Sequence, residues 1–257
     1  MQSLLSVRPT WVKFALALPV ALPTIYLAYL SWHISRHTSS TKGRRLPSRT
    51  RDTSANALPW TPASLPERVR AEDAGWVLAY ERVVSLPVPV SSLAIPATIV
   101  ADEEETPSPL MRAYAVGAQV AFGSTPQAYL MRNVIDEPRL RRTFDKDWIR
   151  TLAFRNGDIV NGVYKVAYRG RGSTSRSERV EIVIEAPLSF NGSVPHGLIL
   201  AEVQVDDNGD HVLFVNETWM WRRNDEKSTL IEGSFGGWFH SLLAGWLVMK
   251  GIRNVKG

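Results

Sequence analysis

The chain has no cysteine among its 257 residues. That excludes disulfides, thiolate metal sites and a cysteine nucleophile, and it suits a reducing compartment. Acid is missing from the N-terminal stretch. Met1 to Arg51 contains no Asp or Glu, but holds Arg8, Lys13, Arg36, Lys42, Arg44, Arg45, Arg49 and Arg51. The remainder is near neutral, so the net charge of +5 is no footprint of a nucleic-acid partner. A phosphate loop is absent, because Gly170–Gly172 (GRG) falls in a hairpin rather than before a helix. There is no dinucleotide fingerprint and no G-x-S-x-G elbow. His33 and His37 flank an apolar run, and His196, His211 and His240 are scattered, so no metal or other cofactor is expected. Nine tryptophans and an apolar fraction of 44% are ample for a core, which excludes global disorder.

What is present begins with Trp11–Ile34, WVKFALALPVALPTIYLAYLSWHI. Phe14 to Trp32 carries no charge, about enough to cross a bilayer core of roughly 30 Å at 1.5 Å per residue. Pro19 and Pro23 are tolerated in membrane spans. Trp11, Tyr26, Tyr29 and Trp32 sit near the ends, as interfacial aromatics do. With no convincing small-residue cleavage site after the run, an uncleaved anchor is expected over residues 1–36. Two positive charges precede the span and six follow it, which places the folded domain in the cytoplasm of a single-pass endoplasmic reticulum protein. A mitochondrial membrane is the alternative address. Residues 37–66, rich in Ser, Thr, Arg and Pro, read as a linker, and residues 67–257 as the globular domain.

Within that domain Gly75–Leu86 reads as a strand. Pro109–Phe122 reads as a helix, and Ser124 or Thr125 caps a second one begun by Pro126. After Asn156-Gly157 the period switches to two. Ile159–Tyr168 places Tyr164, Val166 and Tyr168 on one face, and Arg179–Ala186 and Leu198–Val205 alternate in turn. Asp207–Asp210 marks a hairpin. Val212 opens an aromatic strand in which Leu213, Val215, Glu217, Trp219 and Trp221 share a face. A final helix follows, with Phe235, Trp238, Phe239, Leu242, Leu243, Trp246 and Leu247 as one stripe expected to pack on the sheet. Gly237, Ser241 and Gly245 form a small-residue ridge that permits close approach to a sheet or to another helix. The fold class is α+β, an antiparallel sheet wrapped on a long C-terminal helix and preceded by one transmembrane helix.

This order, from strand through helical passage and antiparallel strands to one closing helix, resembles the helix-grip superfamily of START lipid-transfer domains and polyketide cyclases. The resemblance covers roughly Gly75 to Gly257 and implies an apolar cavity between sheet and helix. The layout also looks like that of fungal membrane-anchored tailoring proteins.

Glu217 is the sharpest candidate. If its strand face lines a cavity, apolar surroundings raise its pKa toward neutrality and make it a general acid or base. The structural alternative is that this face points outward, or that Glu217 forms an ion pair with Arg222 or Arg179. His240 is either a proton-transfer partner or a satisfied core histidine. Tyr164, Tyr168, Trp219, Trp221 and Trp238 are the expected pocket aromatics. The leading expectation is a membrane-anchored enzyme of secondary metabolism that cyclises, dehydrates or isomerises an apolar polyketide or terpenoid. A noncatalytic lipid or isoprenoid carrier, and an assembly protein whose partner docks on the final helix, are the alternatives.

Overall fold

The computed structural model describes residues 10–46, 60–71, 75–99, 107–187 and 195–256, with side chains from Leu22 onward. Helix α1 (Thr10–Ser35) leads through Arg36 and His37 into strand β1 (Thr38–Arg45). A short helix α2 (Glu67–Arg70), strands β2 (Trp76–Ser85) and β3 (Val88–Pro89), and helices α3 (Pro109–Phe122), α4 (Pro126–Val134), α5 (Pro138–Arg142) and α6 (Lys146–Thr151) follow. Then come strands β4 (Ile159–Val160), β5 (Tyr164–Arg171), β6 (Ser177–Ile184), β7 (His196–Val205) and β8 (His211–Arg223), and the closing helix α7 (Ser234–Val255). The eight strands form one antiparallel sheet in the order β1-β2-β8-β7-β6-β5-β4, with β3 also paired to β8. An α+β fold with a C-terminal helix is thus established.

Local chemistry fixes many of the boundaries. Ser108 caps α3 by accepting from the Met111 amide, and Thr125 caps α4 by accepting from the Ala128 amide, each with proline in the first turn. Helices α3 and α7 cover one sheet face, where Tyr114, Phe214, Val203, Val180, Ala244 and Val248 belong to the main core. They cross where both are glycine: a Cβ on Gly251 would lie 2.4 Å from the Tyr114 ring, and one on Gly117 3.1 Å from the Gly251 Cα.

Three expectations change. The segment read as linker contains β1, which pairs with β2 along its whole length from Thr38↔Ser85 to Arg45↔Leu78. Sheet hydrogen bonds need no apolar side chains, so this polar strand shows no hydrophobic period. The same segment's far end, from Trp60 onward, straps the opposite sheet face. There Leu65 and Val69 join Leu78, Tyr80, Leu198, Leu200, Trp219 and Trp221 in a second core. Finally, α7 packs inward mainly through its small residues and valines, with Leu242 and Leu247 the members of the expected stripe that join them. Gly237, Leu242, Ala244, Gly245, Val248, Gly251 and Val255 are buried, whereas Phe235, Trp238 and Phe239 are exposed. The ridge accepts β1 and the end of α1: a Cβ on Gly245 would lie 2.4 Å from Ile34 Cγ2. Close backbone approach selects the small face, and the large aromatics are turned outward.

Among the described residues, no helix is long and apolar enough to cross a membrane. The expected span, Trp11–Ile34, falls partly on residues 10–21, whose side chains lie outside the described residues.

Candidate functional site

Strand β2 carries two adjacent charges, Glu81 and Arg82, which alternation sends to opposite faces of the sheet. Glu81 points to the helix-covered face and Arg82 to the strapped face, and each meets a partner there.

On the helix side, Glu81 is 1% exposed. One carboxylate oxygen, Oε2, lies 2.5 Å from His240 Nδ1. The other accepts from Ser241 Oγ and, at 3.2 Å, from Ser40 Oγ of β1. Lys42 stands 3.5 Å away and donates to the Gly237 carbonyl at 2.7 Å. Burial alone would push the Glu81 carboxyl up, but the hydrogen bonds from His240 and Ser241 and the nearby Lys42 hold it below its ordinary value. The imidazole is thereby held through Nδ1, with Nε2 as its second ring nitrogen.

His240 lines an open groove of about 1330 Å³ on this same side of the sheet. Tyr164, Ile184, Ile199, Thr218 and Met220 line it from the sheet; Leu130, Met131 and Val134 of α4 wall it; Leu230 and the charged turn Asp225–Lys227 close one end. Tyr164 is buried edge-on to Phe122, with centroids 5.4 Å apart, and burial pushes its hydroxyl up to about 12.

On the strapped side, Arg82 pairs with Glu217, whose other oxygen accepts from Trp219 Nε1 at 2.9 Å. Burial pushes the Glu217 carboxyl up, with Arg82 opposing it. Beyond it lie Arg179, Glu181 and Glu202, each fully buried. Arg179 Nη2 is 2.5 Å from Glu181 Oε1, and the Trp60 ring covers the guanidinium at 3.2 Å. Glu181 accepts from the Ala63 and Ser64 amides of the strap at 2.9 and 2.6 Å. Glu202 accepts from the Ser173 amide and hydroxyl and from Gln204.

The two expected catalytic residues are therefore not brought together. Glu217 is desolvated, as its face suggested, but it is ion-paired under the strap, with Arg82 rather than with Arg222 or Arg179. Trp219 and Trp221 border the groove, yet Trp219 stacks on Tyr80 at 5.0 Å and both indoles belong to the strapped core. Tyr168 is also on that side. A bulge between Val166 and Tyr168 shifts the register, so Tyr168 opposes Glu181, and its ring sits 5.1 Å from the Arg179 guanidinium. Trp238 lines a separate cavity of about 160 Å³ against α1. Of the expected set, Tyr164 and His240 face the groove. The group that alternation missed is Glu81. Its signal was a lone acid in the otherwise apolar run Trp76–Val84, flanked by an arginine. Asn216, in one of the two Asn-x-Ser/Thr sequons, is 6% exposed within β8, a poor position for a glycan acceptor.

The antiparallel sheet and closing helix are compatible with a helix-grip-like arrangement. No protein-family model matches the chain, and neither a curated protein nor a solved structure matches it.

Proposed function

We propose that this protein binds an apolar small molecule in the groove and that His240, oriented by Glu81, moves a proton on it. The observation that carries the reading is the position of the His240–Glu81 pair at the edge of a groove with an apolar floor. A cavity of this size holds a molecule at least as large as a typical drug. A histidine whose Nδ1 is held by a buried carboxylate presents Nε2 as acceptor or donor without rearrangement, the arrangement general acid–base catalysis needs. The reaction class is cofactor-free cyclisation, dehydration or isomerisation of a polyketide- or terpenoid-like compound. The anchor at Trp11–Ile34 and a cytoplasmic orientation belong to the same proposal, supported by the acid-free N-terminal stretch and the six positive charges after the apolar run.

A noncatalytic carrier is the second reading, favoured by the uncharged patch of the floor that Tyr164, Ile184, Ile199, Thr218 and Met220 form. Both are tested on the purified full chain with an apolar fluorescent probe and a displacement screen. Met220→Trp, which fills the floor, is expected to abolish probe binding; unchanged binding overturns the groove as a ligand site. For a displacing compound that turns over, His240→Asn is expected to lower kcat by about 10²–10⁴-fold with affinity nearly unchanged. Equal turnover removes the catalytic role and leaves the carrier.

A further inference from the structure

We propose that the groove loads from an anionic lipid bilayer through an aromatic platform that α1 and the first turns of α7 build at its edge. The inference rests on the groove being a ligand site, and it names the ligand class: an amphiphile dissolved in a membrane rather than in water.

The platform has a part on α7 and a part on α1. Leu230 lines the groove and is 57% exposed. Gly236 sits against it, since a Cβ there would lie 2.8 Å from Leu230 Cδ1. The neighbouring Phe235 is 78% exposed, and its ring centroid is 5.9 Å from that of Trp238. Trp238 in turn shares its small cavity with Ser31, Ile34 and Ser35 of α1. Along α1, Trp32 and Tyr29 follow with rings 6.1 Å apart, and Tyr26, Ile25 and Leu22 continue the exposed face. Exposed apolar side chains thus gather in two groups that meet at the Trp238 cavity, Leu230 and Phe235 on the groove side and Trp32, Tyr29, Tyr26, Ile25 and Leu22 along α1. Single exposed apolar residues need no explanation; so many large ones gathered beside a ligand groove do.

Charge selects the occupant. Between Leu22 and Arg45 there is no acidic residue; Lys42 is held at Glu81, Arg44 at Glu232 and Arg45 at the Val69 and Arg70 carbonyls, and Arg36 is the cation beside the apolar strip. The Arg36 guanidinium lies 4.7 Å from the Trp32 ring centroid. A cation beside a tryptophan at the border of an apolar strip suits the headgroup layer, where indole partitions and each nearby basic residue gains about 1 kcal/mol from anionic lipid. The acids of the groove are engaged elsewhere: Asp225 and Glu226 pair with the Arg223 side chain and amide.

The test uses the full chain and a pyrene-labelled fatty acid, offered either in phosphatidylcholine/phosphatidylserine vesicles or in octyl glucoside micelles. Phe235→Ser with Phe239→Ser changes exposed positions only. Loading from vesicles is expected to slow about tenfold in this variant, and to slow also when phosphatidylserine is omitted, while binding from micelles stays within about twofold. Unchanged vesicle loading overturns the platform and leaves the aromatic strip to a protein partner. An equal fall from both sources overturns it too, since that reports damage to the groove. If the unmodified chain takes up no probe from either source, the groove reading fails first and the platform falls with it.

Discussion

The two faces of the sheet bury carboxylates to the same depth and use them differently. Glu81 on the helix-covered face and Glu217 on the strapped face have side chains only 1% and 2% exposed. Around Glu81 stand hydrogen-bond donors, His240, Ser241 and Ser40, and an open groove. Around Glu217 stand Arg82, a tryptophan and further ion pairs under Trp60–Val69. Depth alone therefore does not tell the two acids apart. What distinguishes them is that His240, which holds Glu81, lines the groove, whereas Arg82, which pairs with Glu217, does not.

The strongest way to break this comparison is to remove the cation from the closed face. Arg179→Met is expected to cost about 3–5 kcal/mol in urea unfolding, because Glu181 and Glu202 are left buried without their countercharge. A loss below about 1 kcal/mol would mean that water reaches this cluster and that the face is not closed. A smaller effect is expected on the helix-covered face. Gly251→Ala forces a methyl against the buried Tyr114 ring and is expected to cost about 1–3 kcal/mol, read in the same unfolding experiment.

The smallest effect, and the sharpest on the comparison, is in the pH dependence. Glu232 belongs with the helix-covered side. Burial would raise its carboxyl, but Arg222, Thr229 and Arg44 bring it down to about 2 from an ordinary 4.5. A lowered folded value means stability that is present above about pH 4.5 and is lost as pH falls toward about 2. Glu217 has the opposite sign. Its raised value gives stability present below about pH 4.5 and lost as pH rises through the folded value. Glu232→Gln is expected to flatten the acid limb of the stability profile, and Glu217→Gln the rising limb. If both variants flatten the same limb, the two faces do not differ as described.

Much of the frame was legible in the sequence. Proline and a hydroxyl cap at Ser108–Pro109 and at Thr125–Pro126 announce two helices, and the Asp207–Asp210 turn announces the hairpin between β7 and β8. The site was legible only in part, for reasons of parity. Strand β8 is apolar on both sides, with Val212 and Phe214 on one face and Val215, Trp219 and Trp221 on the other, so alternation pairs residues without saying which set meets the helices. The bulge before Tyr168 inverts a face without changing composition. Strand β1 is recognised by its backbone partners alone, and it supplies Ser40 and Lys42 to Glu81.

The junction between α1 and β1 has a mechanical meaning. Two residues separate helix from strand, and both ends are fixed: the His37 amide donates to Ile34, and the Leu86 amide donates to the His37 carbonyl. There is no slack to store. On the proposed membrane surface, a sheet joined to α1 this closely would stay near it, and capture of a ligand would follow the geometry of a mount rather than the reach of a tether.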